Sequence, residues 1–114
     1  MQENAQTTEE NQITFDDLGL NKEILRSVKQ AGFTTPSPIQ AVAIPFVLQG
    51  RDIVGQAHTG TGKTAAFGLP ALNNIDVRNG VEILVITPTR ELATQVSDEL
   101  YKYGRNINAR TVTV

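Results

Sequence analysis

Cysteine is absent from the chain, which excludes disulfides and thiolate metal sites and fits a reducing compartment. No apolar run approaches the roughly twenty residues of a membrane span. The first twelve residues, MQENAQTTEENQ, have neither the basic start nor the apolar stretch of a secretory signal, so the cytoplasm is the expected location. Excess positive charge is missing too. Ten Lys and Arg face 12 Asp and Glu, a formal net charge of −2, and composition gives no support to a dedicated basic nucleic-acid binder. Histidine occurs once, as His58, without companions that would make it a metal ligand. No internal repeat is visible. What is present is 39% hydrophobic residues in 114, enough for one small domain with a core.

Residues 1–12 are polar and lack apolar periodicity, and read as a flexible tail; structure is expected over 13–114. Asn21 to Ala31 reads as a helix, with Asn21 as cap, Ile24, Leu25 and Val28 on one face, and Gly32 after its last turn. Ser37 and Pro38 suit the cap and first position of a second helix running to about Leu48, ended by Gly50. A third helix opens near Lys63 or Thr64 and should kink or restart at Pro70. Pro88 opens a fourth, with Leu92, Val96, Leu100 and Tyr103 along one face and Gly104 closing it. Between them lie three strand candidates: Asp52–Ala57, the nearly continuous Ile, Leu and Val of Glu82–Thr87, and Thr111–Val114. Strands of the buried type alternating with helices predict a parallel α/β sheet, whose ligands bind at the carboxyl ends of the strands. Two segments fall there, the loop after Ala57 and the turn after Thr87.

The loop reads AHTGTGKT, from Ala57 to Thr64. A phosphate-binding loop needs inward-facing backbone N–H groups, little side-chain bulk and a helix N-terminus behind them. Gly60 and Gly62 supply the close approach, Lys63 a mobile cation for the β and γ phosphates, and Thr64 a hydroxyl for Mg²⁺. The usual pattern has glycine where this chain has Ala57; at a strand exit a small residue suffices if the backbone stays right-handed. His58 reads as an exposed loop side chain with no role of its own. Upstream, Gln40 offers a carboxamide that can donate to and accept from an adenine edge, and Phe15 a ring that can stack on a base. The same residues also read as an ordinary helix-surface glutamine and a core aromatic.

Phe15, then GFTTPSPIQ, then AHTGTGKT, then PTRELA (Pro88 to Ala93) follow the order and spacing of the first motifs of the DEAD-box RNA helicases. The resemblance extends over about Ile13 to Val114 and includes the AAF…P segment of Ala65 to Phe67 and Pro70, and Gln95. It implies a P-loop NTPase domain of the RecA-like class, a parallel-sheet α/β fold incomplete at its C-terminus. It also implies that Ala57 is ordinary at its position. Ala57, His58, Thr59, Gly60, Thr61, Gly62, Lys63 and Thr64 would hold the ATP phosphates, with Thr64 on Mg²⁺. Phe15, Phe33, Pro38 and Gln40 would form an adenine-sensing motif that selects ATP. Pro88, Thr89 and Arg90 would contact RNA, a role a helix N-terminus with a hydroxyl and a cation is suited to; without the resemblance, Thr87 and Pro88 simply start a helix and Arg90 pairs with a nearby acid.

The resemblance also defines what these 114 residues lack. No Asp-Glu-Ala-Asp occurs among the 12 acids, so the carboxylates that would hold Mg²⁺ and activate water are not here, and no catalytic residue is assigned. The expectation is therefore an N-terminal piece of an ATP-dependent RNA helicase, inactive alone, binding single-stranded RNA through its backbone and unwinding short duplexes in the full protein. Its buried-type strands, lacking neighbours, should leave it poorly folded or associated in isolation. Two other readings stand beside this one: a truncated, non-catalytic adenine-nucleotide-binding module, and a phosphate-loop ATPase acting on DNA.

Overall fold

In a computed structural model, the described residues, 13–54 and 62–114, form four α-helices linked by extended segments and short 3-10 turns. The expected tail, residues 1–12, and residues 55–61, which include Ala57 to Thr61 of the loop, lie outside the described residues. The helices are α1 (Lys22–Gln30), α2 (Pro38–Leu48), α3 (Lys63–Asn73) and α4 (Arg90–Gly104).

Local chemistry sets most of the helix boundaries. The Asn21 side chain accepts from the Ile24 amide at 3.0 Å and opens α1. Gly32 follows the end of α1 in a left-handed conformation, φ 84°, as Gly50 does after α2. Thr89, not Pro88, caps α4: its hydroxyl accepts from the Leu92 amide at 3.1 Å, a service proline has no side-chain oxygen to perform. Of the kink or restart expected at Pro70, the restart does not occur: α3 runs through it to Asn73. Proline there forgoes one intrahelical hydrogen bond. Its ring, however, is fully buried, and Gly68 brings α4 so close that a Cβ would stand 2.6 Å from Leu100 Cδ2. Tertiary packing holds the helix across the local breaker.

Three helices run in one direction. The Gln40 side chain, at the start of α2, donates to the Gly62 carbonyl at the start of α3, 3.2 Å away. At the other end Asn74 donates to the Leu48 carbonyl, also at 3.2 Å. Gly68 faces Leu100 and Leu72 faces Gly104, so α3 and α4 are parallel as well. The N-termini of α2, α3 and α4 therefore point to one end of the molecule. α1 lies at the opposite end, where the Asn21 amide donates to Asn73 Oδ1 at 2.7 Å and Asn106 Nδ2 to Ser27 Oγ at 2.9 Å. Ile24, Ile44 and Leu69, each with no exposed surface, sit at the centre of the core; burying each contributes roughly 1.5–3 kcal/mol.

No strand forms among the described residues, although three were expected. Of Asp52–Ala57, residues 52–54 are unpaired and the rest lie outside the described residues; Glu82–Thr87 and Thr111–Val114 are unpaired throughout. The middle segment nevertheless has the two-residue period of a strand: Ile83 and Val85 pack on the core, while Leu84 and Ile86 are more than four-fifths exposed. A helix satisfies its backbone internally, whereas a strand does so only through a neighbour. No described segment lies beside these three as that neighbour.

Candidate nucleotide-binding site

The described end of the loop is built from α2 and α3. Gly62 has φ 81° and precedes α3 as its cap, a left-handed conformation in which side chains are strained. A Cβ on Gly62 would also collide with Gln40 Nε2, so this position requires glycine twice over. Lys63 is exposed at the first position of α3. Thr64 follows, half-buried, and its hydroxyl makes no hydrogen bond to another described residue. Both stand at a helix N-terminus, whose free N–H groups and partial positive charge favour an anion.

Gln40 is 3% exposed and fixed at both ends of its carboxamide. Oε1 accepts from the Ser37 amide at 2.9 Å, and Nε2 donates to the Gly62 carbonyl. Ser37 returns the contact, its hydroxyl accepting from the Gln40 amide at 3.4 Å, which completes a capping box. A carboxamide has two N–H donors and two acceptor lone pairs. One of each is used here, which locks the plane of the group and leaves one donor and one acceptor without a partner among the described residues. The sequence reading saw the carboxamide but missed its hold on Gly62 and the part played by Ser37. The S-P-I-Q spacing of a capping box was the available signal.

The aromatic candidates lie elsewhere in the packing. Phe15 is buried in the core, its ring stacked on Phe33 at 6.0 Å between centroids. Phe33 is half-buried and also meets Tyr103 at 6.1 Å. Burial, with Glu99 beside it, pushes the Tyr103 phenol well above its ordinary range; the phenol donates to Glu99 at 3.2 Å. Pro38 is exposed at the first position of α2. At the head of α4, Pro88, Thr89 and Arg90 are all exposed, and the Thr87 hydroxyl donates to the Thr89 carbonyl at 2.8 Å. Because α3 and α4 are parallel, this turn faces the same end of the molecule as Lys63. The structure thus brings Gln40, Gly62 and Lys63 to one corner and keeps Phe15 and Phe33 together with Tyr103, which lies in the last turn of α4. Among the described residues, no three His, Asp or Glu come together as a metal site, and no helix is long and apolar enough to cross a membrane.

Comparison with known proteins shows the family and the fold. The family described as DEAD/DEAH box helicase matches residues 37–114. The DEAD-box ATP-dependent RNA helicase RhpA of Helicobacter pylori is 60% identical over 101 residues, 89% of this chain and 20% of that protein. The chain thus spans about a fifth of the length of the curated relatives it matches. Among solved structures, a DEAD box protein from the hyperthermophile Methanococcus jannaschii superposes with a TM-score of 0.76 at 42% identity, over 80% of this chain and 25% of that one. Dbp5 of S. cerevisiae bound to RNA and ADP BeF3 superposes with a TM-score of 0.75 at 35% identity, over 82% of this chain and 25% of that one. The parallel helices and the three unpaired apolar segments are accordingly part of a RecA-like α/β domain, and the chain belongs to the DEAD/DEAH box helicase family.

Proposed function

We propose that this chain is the ATP-binding and part of the RNA-binding surface of an ATP-dependent RNA helicase, with turnover a property of the whole protein. The observation that carries the proposal is the hydrogen bond from buried Gln40 to the Gly62 carbonyl, which ties a base-reading group to the phosphate loop. The donor and acceptor left on Gln40 match the N6/N7 edge of adenine and oppose guanine's. Lys63 would bring its charge to the β and γ phosphates, and the N-terminus of α3 would supply backbone donors. Mg²⁺, when bound, neutralises charge on those phosphates; Thr64 is the one ligand proposed here. A single hydroxyl fits a small ion held mostly by phosphates and water. The loop residues Ala57, His58, Thr59, Gly60 and Thr61 complete the cradle in this reading.

Phe15, Phe33 and Pro38 have a supporting part in this reading: Pro38 is the first residue of the helix that carries Gln40, and Phe15 and Phe33 stack on each other in the packing. Pro88, Thr89 and Arg90 would grip an RNA phosphate, which carries little sequence information. Their exposure at a helix N-terminus, at the same end as Lys63, supports that role. The cytoplasm is the proposed location, in keeping with the absence of cysteine from the chain. The test is ATP hydrolysis by the protein in its native length, with and without RNA. RNA should stimulate it, and Lys63→Ala should reduce it to background. Stimulation by DNA in place of RNA, or activity that survives Lys63→Ala, would contradict the proposal.

A further inference from the structure

α1 carries a stripe that the nucleotide site does not use. Lys22, Arg26 and Lys29 recur at spacings of four and three, which places them on one face, away from buried Ile24 and Val28. All three are exposed, and none takes part in an ion pair among the described residues, where the one ion pair joins Arg78 to Asp76. Glu23 is the only acid on the helix, three residues before Arg26, and does not pair with it. Arg105 adds a fourth exposed cation on the turn that Asn106 fastens to α1.

Local helix chemistry favours Lys29, in the last turn, but not the row as a whole. Like charges three and four residues apart repel along a helix. Lys22 also occupies the first position of α1, where the helix dipole disfavours a cation. Residues that break a local rule without a structural gain mark functional positions. The stripe has no aromatic anchor and no exposed apolar residue between its cations, so it lacks the hot-spot chemistry of a protein interface. A row of cations on a rigid rod, without an ion pair among the described residues, is instead suited to a phosphate backbone.

We propose that Lys22, Arg26 and Lys29 form a second RNA-backbone contact, remote from the turn at Thr89. This rests on the reading of the chain as acting on RNA. α1 lies at the C-terminal ends of α3 and α4, and the 15 residues of α4 put about 22 Å between that end and Thr89. At about 3.4 Å per stacked nucleotide, six or seven nucleotides are needed to reach across. The stripe would therefore hold a flanking part of an RNA whose centre lies at Thr89, adding affinity without sequence preference.

The test measures the affinity of the native-length protein for fluorescent uridine oligonucleotides of about four and about thirty nucleotides, between about 50 and 200 mM KCl. The triple variant Lys22→Gln, Arg26→Gln, Lys29→Gln is compared with a charge-keeping variant, Lys22→Arg, Arg26→Lys, Lys29→Arg. On the long oligonucleotide, the triple variant should lower the slope of log affinity against log salt by about 2, at about 0.7 per phosphate contact, and weaken binding at low salt at least tenfold. The short oligonucleotide should bind both proteins alike, and the charge-keeping variant should match the wild type. An unchanged slope on the long oligonucleotide overturns the proposal. So does an equal loss in the charge-keeping variant, which would trace the effect to folding. Capture of polyglutamate by the wild type, lost in the triple variant while the RNA slope stays the same, would assign the stripe to an acidic protein instead. A wild type that binds no RNA at any salt would remove the helicase reading itself, an outcome distinct from an unchanged slope.

Discussion

The four helices and the three apolar segments between and after them have similar hydrophobic content and opposite fates. The helices close their own backbone hydrogen bonds and bury one another's side chains, so that Ile24, Ile44 and Leu69 have no exposed surface. The segments are richer still in Val, Ile and Leu, yet Val54, Leu84, Ile86, Val112 and Val114 each stand at least 82% exposed. Apolar composition thus does not bring burial by itself. A helix needs only a surface to lie on, whereas a strand needs a neighbour on each edge. The proposed function draws on the helical half: the N-termini of α2, α3 and α4 point to one end, and that end holds Gln40, Gly62, Lys63 and Thr89.

The comparison breaks most directly at the centre of the helical half. Leu69→Ala should lower stability by about 2–5 kcal/mol, because the cavity opens between helices that cannot collapse independently. Urea unfolding of the chain measures it. A loss below about 1 kcal/mol would mean that α3 is not the centre of the core. At the junction of the halves, Gly62→Ala should lower stability by about 1–3 kcal/mol through its left-handed backbone. It should also displace Gln40 and weaken ATP binding in the native-length protein at least tenfold, read by calorimetry. Unaltered nucleotide affinity would separate Gly62 from the site. The smallest effect on stability is expected in the segments. Leu84→Lys with Ile86→Lys should leave urea unfolding within about 0.5 kcal/mol of the parent. The 114-residue chain should associate through its unpaired apolar edges, and the same double change should shift it toward monomer in sedimentation. A parent chain that is already a uniform monomer would contradict this.

The same division decides what could be read from the sequence. Helix starts at Asn21, Ser37 and Thr89 and ends before Gly32 and Gly50 follow from chemistry within a few residues, and all were visible or nearly so. Pro70 misled because a local rule met a fully buried site. The apolar runs of the strands were visible, but their pairing depends on distant chain that no window contains. The tie between Gln40 and Gly62 spans 22 residues, so spacing could not show it, although the capping-box pattern beginning at Ser37 was there to be read. The expected phosphate loop was the plainest pattern in the sequence because its glycines, lysine and threonine lie within five residues, Gly60 to Thr64. Phe15 offered a ring but not its direction, and its stacking on Phe33 required the fold.

The central claim is that Gln40 joins base reading to the phosphate loop. The most direct measurement is the ratio of ATP to GTP affinity in the native-length protein, for the wild type and for Gln40→Ala. The account predicts at least a tenfold preference for ATP in the wild type, nearly erased by Gln40→Ala, because a purine edge then meets no matched donor and acceptor. Equal affinities in the wild type, or an ATP preference that survives Gln40→Ala, would contradict it.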